Sequence, residues 1–137
     1  MSQLQAFLNA NTNASNTITE QVIISNRFKK ENGELMKFTI RALSEDEVDE
    51  ISKACQKFGK KGKVDFETKK YTRMVAIAGT KDPNFRDAES LKAVGVISSE
   101  EYIKKVLLPG EIENLANEIL KLSGYQDLDE LREEVKN

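Results

Sequence analysis

A mostly helical α+β domain is the fold class that this 137-residue sequence predicts. Three observations carry it. Near the N-terminus, apolar residues alternate with polar ones on either side of an Asn-Gly pair, the pattern of a β-hairpin. Downstream, apolar residues recur at three- and four-residue spacing in short stretches bounded by Gly, Pro, Ser or Asp, the pattern of amphipathic helices. A composition of 39% apolar and 32% charged residues suits one rather polar globular domain.

The elements follow in chain order. Residues 1–20 predict a flexible arm. Leu4, Phe7 and Leu8 have helical spacing, and the following Asn9-Ala-Asn-Thr-Asn-Ala-Ser-Asn-Thr17 is rich in side chains that bond their own backbone and oppose regular structure. An ordinary loose chain end explains the same segment. Residues 21–137 predict a single domain, beginning with a hairpin over about 21–42. Val22, Ile24 and Phe28 alternate on one arm, and Met36, Phe38, Ile40 and Ala42 on the other, around Lys30-Glu31-Asn32-Gly33. Two strands alone are marginal in water, so the hairpin must pack on helices, gain a third strand or pair with another chain.

Five or six short helices are predicted after it. Ser44 and Glu47 form a capping box ahead of Val48, Ile51, Cys55 and Phe58, with an end near Gly59. A basic loop, Gly59-Lys-Lys-Gly-Lys63, leads to a helix over about 65–78 that buries Tyr71, Met74, Val75 and Ala78. Gly79 is its expected C-cap, with Pro83 beyond. A short helix lies within 84–95, ended by Gly95, and Ser98 or Ser99 caps the next, which carries Tyr102, Ile103, Val106 and Leu107. Pro109-Gly110 interrupts. Residues 111–122 show the cleanest amphipathic stripe, Ile112, Leu115, Ile119 and Leu122, for which core burial is the ordinary explanation. Gly124 ends it, and Asp127 caps a last helix with Leu128, Leu131 and Val135 on one face.

The chemistry is sparse. The sequence holds no histidine, which removes the commonest general base, the commonest metal ligand and every Ser-His or Cys-His pair. Cys55, the one cysteine, sits on an apolar stripe and reads as core. Gly59-Lys-Lys-Gly-Lys63 has two residues between its glycines where a phosphate-binding loop needs four, and Val64 follows the lysine instead of Ser or Thr. The acids Glu45, Asp46, Glu47, Asp49 and Glu50 lack calcium-loop spacing and are explained by the positive end of a helix dipole. No cofactor or metal is expected. No apolar run approaches the length of a membrane span, and Met1-Ser2-Gln3-Leu4-Gln5 has no basic leader, so a cytosolic protein is expected.

Charge is polarised along the chain. Eight basic residues between Lys53 and Arg73 face two acids, whereas eight acids from Glu111 onward face three basic residues. Such polarity steers partners or favours head-to-tail association, although solvated faces explain it equally. Leu91, Gly95-Val96, Ser98-Ser99 and Ile103 have the look of a helix-turn-helix, but Glu100 and Glu101 would meet phosphates at the start of its second helix. With a net charge of −2, nucleic-acid binding is the second reading and not the first.

The ordered motifs resemble the XkdN-like family of phage tail assembly chaperones, found in contractile-tailed phages and defective prophages. The likeness rests on Leu4-Gln5-Ala6-Phe7-Leu8, on Ser25-Asn26-Arg27-Phe28-Lys29 with Phe38-Thr39-Ile40-Arg41-Ala42, and on Asp82-Pro83-Asn84-Phe85 leading to Leu91 and Gly95-Val96. It continues through Leu107-Leu108-Pro109-Gly110-Glu111 to Leu115, Ile119, Leu122, Ser123, Gly124 and Tyr125. Ser98-Ser99 stands where the family pattern has a proline. The resemblance implies a non-catalytic protein that binds the tape measure protein, and by extension tail tube subunits, before the tail tube polymerises, and that is absent from the virion. A structural tail or capsid completion protein is a further alternative. The candidate partner-binding residues are Leu4, Phe7, Leu8, Ile112, Leu115, Ile119, Leu128 and Leu131. An arm bearing Leu4, Phe7 and Leu8 would dock into a neighbouring copy and build homo-oligomers along the client.

Overall fold

The computed structural model of the chain describes residues 2–10 and 18–125. Helix α1, Gln3–Asn9, opens on Ser2, whose hydroxyl accepts the Gln5 amide at 3.1 Å. Strand β1, Thr19–Val22, pairs antiparallel with β2, Phe38–Arg41, setting Thr19 opposite Arg41 and Val22 opposite Phe38. Phe38 and Ile40 turn into the core at 2% and 0% exposure, as alternation along a strand requires.

The expected hairpin is present, but in two parts. Its tip is a separate small turn in which Lys29 faces Leu35 and the Gly33 amide donates to the Lys30 carbonyl. Gly33 supplies the positive φ of 87° there. Continuing the register of the base would set Lys29 opposite Glu31, so residues 23–27 leave the ladder between base and tip. That excursion aims Arg27 across the molecule.

Ser44 and Glu47 form the expected capping box at the start of α2, Glu45–Ala54. The Ser44 hydroxyl accepts the Glu47 amide at 3.2 Å, and the Glu47 carboxylate accepts the Ser44 amide at 3.1 Å. The helix stops at Cys55, earlier than the sequence suggests. Gln56–Phe58 is instead a strand, β3, paired with β4, Val64–Phe66, in a second hairpin. The Gly59-to-Lys63 segment is therefore a hairpin tip, with Lys61 and Gly62 both at positive φ. Alternation outranks helical periodicity here because Gly59 and Gly62 suit a tight hairpin tip and the flanks are aromatic and β-branched.

Helix α3, Thr68–Gly79, runs through the core and buries Val75, Ala76, Ile77 and Ala78. Gly79 is its last residue and not a cap beyond it. A short strand β5, Thr80–Asp82, follows directly and pairs with β2, giving a three-stranded sheet of order β1-β2-β5. The hairpin thus finds its third strand. Phe85 then buries edge-on against Tyr102, ring centroids 5.6 Å apart. Helix α4, Ala88–Val94, is capped by Asp87 and ended by Gly95 at φ 81°. Helix α5, Ser99–Val106, is capped by Ser98. Helix α6, Pro109–Leu122, takes Pro109 into its first turn, so Pro109-Gly110 begins this helix rather than separating two. Gly124, at φ 97°, ends it, and the Tyr125 amide returns to the Leu120 carbonyl. The expected last helix, with Leu128 and Leu131, lies outside the described residues. Among the described residues no helix is long and apolar enough to cross a membrane.

The core lies between the sheet and the α3–α6 pair, around Ile40, Val75, Phe85, Ile103, Leu115 and Ile119. The pair is set by Gly79. A Cβ built there would stand 2.4 Å from Cγ2 of the fully buried Ile119, so only a bare α-carbon permits this approach.

Candidate functional site

Two charged clamps tie the first hairpin and its sheet to helices, and one of them holds the start of α6. Arg27, carried by the hairpin excursion, donates from Nε and Nη2 to the two carboxylate oxygens of Glu111 at 3.0 and 2.7 Å. Its Nη2 also donates to the Val106 carbonyl at 3.2 Å, and its guanidinium lies 4.6 Å from the centre of the Phe28 ring. Glu111 in turn accepts the Leu108 amide at 2.7 Å, completing the start of α6. The second clamp is bidentate between Arg41 and Glu47. The neighbouring guanidinium holds each carboxyl at about 2, well below the ordinary 4.5, and backbone amides of Leu108 and Ser44 add to the effect.

The N-terminal half of α3, the end of α5 and the start of α6 leave an open groove of about 310 Å³. Its floor is apolar, made by Leu107, Pro109 and Ile112, and its rim is charged, with Lys69, Arg73, Lys104 and Glu113. Arg73 is engaged by Glu100 at 3.3 Å. Lys69 and Lys104 have no ion-pair partner among the described residues. A second hollow of about 230 Å³ shares Thr72 and Glu113 with the first and extends it along α6 to Leu120. The two form one furrow between α3 and α6.

Two further apolar surfaces stand in solvent. On α1, Leu4, Phe7 and Leu8 are 67%, 67% and 54% exposed. At the second hairpin, Phe58 faces Val64 across the strands, and both are more than half exposed. Only its base is fastened, by Phe66 against Tyr71 with ring centroids 5.5 Å apart.

The residues singled out from the sequence therefore separate. Leu4, Phe7 and Leu8 form an exposed set. Ile112 lines the groove floor. Leu115 and Ile119 face α3 at 0% exposure and present no surface to a partner. Leu128 and Leu131 fall outside the described residues. Sequence reasoning missed the groove's cationic rim, because Lys69 and Lys104 come from helices far apart in the chain. The available signal was the basic run ending at Arg73.

The other chemical candidates resolve locally. Cys55 sits at the end of α2, not mid-helix, with Sγ 3.8 Å from the Met74 sulfur, and burial pushes its thiol pKa up, away from reactivity. In the segment with helix-turn-helix spacing, Glu100 holds Arg73 and Glu101 accepts the Ile97 amide, so acids occupy the helix start that would enter a groove of DNA.

The sequence profile described as phage XkdN-like tail assembly chaperone protein matches residues 4–136. The chain belongs to this family. It is similar to the phage-like element PBSX protein XkdN of Bacillus subtilis strain 168, at 30% identity over 123 residues, 85% of this chain and 83% of that protein. It is also 28% identical to YqbN of the same organism over 123 residues, with the same two coverages. The crystal structure of YqbN shares the fold, with a TM-score of 0.69 at 24% identity, over 92% of this chain and 99% of that one.

Most motifs behind the family resemblance turn out to hold the domain together. Arg27 reaches Glu111 from one motif to another. Arg41 restrains the capping residue Glu47. The Ser123 hydroxyl accepts the Leu43 amide at 2.8 Å. Phe85 fills the core. The rim residues Lys69, Arg73 and Lys104 lie outside those motifs.

Proposed function

We propose that this tail assembly chaperone acts without catalysis, holding the tape measure protein of a phage tail until the tail tube polymerises around it. The observation that carries the reading is the furrow between α3, α5 and α6, with its apolar floor and cationic rim on a rigidly clamped domain. Long amphipathic clients dock in such furrows by laying an apolar helix face along them. Lys69 and Lys104 would select client segments with acids flanking the apolar face. The exposed apolar sets on α1 and on the second hairpin supply further contacts, either with client or tube subunits or between copies of the chaperone. The chaperone works in the cytoplasm of the bacterial host and is left out of the finished particle.

Co-expression with the tape measure protein of the same phage element tests this directly. The client should be recovered soluble and co-purify only when the chaperone is present. An insoluble client in both cases, with no complex, overturns the reading. Presence of the chain in purified tails would instead favour a structural completion protein.

A further inference from the structure

The β3–β4 hairpin is tied at its base, where the Glu67 amide donates to the Cys55 carbonyl at 2.8 Å. Directly paired residues share a face of a hairpin, as do residues two apart on one strand. Phe58 and Val64 therefore stand on one side with Gln56 and Phe66, while Lys57 and Asp65 stand on the other. Phe66, at the base of the apolar side, packs on Tyr71. Tyr71, with Thr72, lines the second hollow of the α3–α6 furrow. The apolar side of the hairpin is thus continuous with the furrow, through Phe66 and Tyr71. Farther out, Phe58 and Val64 stand 78% and 54% exposed, on strands too short to cover them.

We propose that the furrow and this hairpin face form one docking surface, and that its occupant is a single amphipathic helix with acidic residues beside its apolar stripe. The inference rests on the proposed function and deepens it: the hairpin and the furrow hold the same client helix, and the hairpin does not serve a separate partner. Continuity of the apolar surface is the first support. Charge is the second. Lys60, Lys61 and Lys63 at the hairpin tip and Lys69 and Lys104 on the furrow rim are exposed, and none has an ion-pair partner among the described residues. Against these five stand Asp65 and Glu67 on the hairpin arm and Glu113 on the rim. A helix flanked by lysines would be repelled. The α1 helix of a second copy carries no charged side chain and would leave the five lysines unanswered.

Amide shifts in the full ¹⁵N-labelled chain test it, with a synthetic peptide as the probe. The peptide has ~18 residues, about 27 Å as a helix, with a leucine stripe and glutamates on both flanks. A twin carries lysines in place of the glutamates. The glutamate peptide should shift the amides of Phe58 and Val64 and those of Lys69, Thr72 and Ile112 along one binding curve. The twin should bind about tenfold more weakly. Phe58→Ser with Val64→Ser should weaken the curve read at Ile112, in the furrow, by about fivefold. Lys60→Glu with Lys63→Glu should weaken it too, with the apolar face left in place. Shifts that are absent or confined to one of the two regions would overturn the proposal. So would equal binding of the twin, or an Ile112 curve that neither hairpin variant alters. No tape measure protein is present, so these outcomes leave the co-purification result untouched. Capture of that client equally by the natural chain and both hairpin variants would keep the function and sink this inference.

Discussion

At Gly79 the two longest described helices come closer than any side chain would allow. Replacing it with alanine gains up to about 1 kcal/mol of helix propensity. It also drives a methyl into Ile119, which is enclosed on all sides and cannot swing away. Overpacking of that kind costs about 1–3 kcal/mol. Gly79→Ala should therefore lower the unfolding free energy by a net of up to ~2 kcal/mol, seen as a lower urea midpoint at unchanged slope, and a stabilised variant would contradict the packing. Glu47 and Glu111 set the acid response. Their carboxyls are held at about 2 in the folded protein against 4.5 ordinarily, so their contribution is complete above about 4.5 and is lost as pH falls toward 2. Denaturation midpoints should be flat from pH 7 to 5 and fall steeply below. Glu111→Gln should lower stability at pH 7 and flatten that fall. The capping role of Glu47 is written in its spacing from Ser44. Its second role, and the whole of the Arg27–Glu111 clamp, is not, because those partners meet only when the hairpin excursion crosses to α6.

Among elements, the helices were legible and the short strands were not. Caps at Ser44 and Ser98 and a stop at Gly95 are local signals, and the structure uses each of them. The second hairpin was hidden by Phe58, which continues the i, i+3, i+7 pattern of α2 by coincidence and in fact stands 78% exposed on a strand. Strand β5 has three residues and no pattern of its own. It is a strand because β2 offers a free edge. Exposure also fixes what these elements contribute to stability. Leu4→Ser, Phe7→Ser and Leu8→Ser together should leave the thermal midpoint unchanged, since nothing on α1 is buried. The concentration-dependent mass in light scattering should fall if α1 joins copies. Phe58→Ser should likewise spare the fold, and a drop in melting temperature of several degrees would show that the hairpin tip packs on something.

For the whole molecule, the sequence disclosed the class, the hairpin-first order and the family, but not the furrow. The furrow is made by helices that begin at residues 68, 99 and 109, so its outline depends on how they cross rather than on any one stretch. Its electrostatics are testable as a unit. Lys69→Glu with Lys104→Glu should weaken client capture and make what remains less sensitive to salt, because the attractive charges that salt screens are gone. Equal capture by the variant would move the client surface to α1 or the hairpin tip.

The brevity of β5 has one more consequence. A long flat edge invites another chain to add itself strand by strand, the route into cross-β fibres. Here one border of the sheet is a strand of three residues, bearing the exposed Lys81 and Asp82 and followed at once by Pro83, which has no N–H to offer. The β5 border of the sheet is thus closed to strand-by-strand addition. Lys81→Val with Asp82→Val would remove the blunting charges, and thioflavin fluorescence on mild heating should then appear where the natural sequence stays dark.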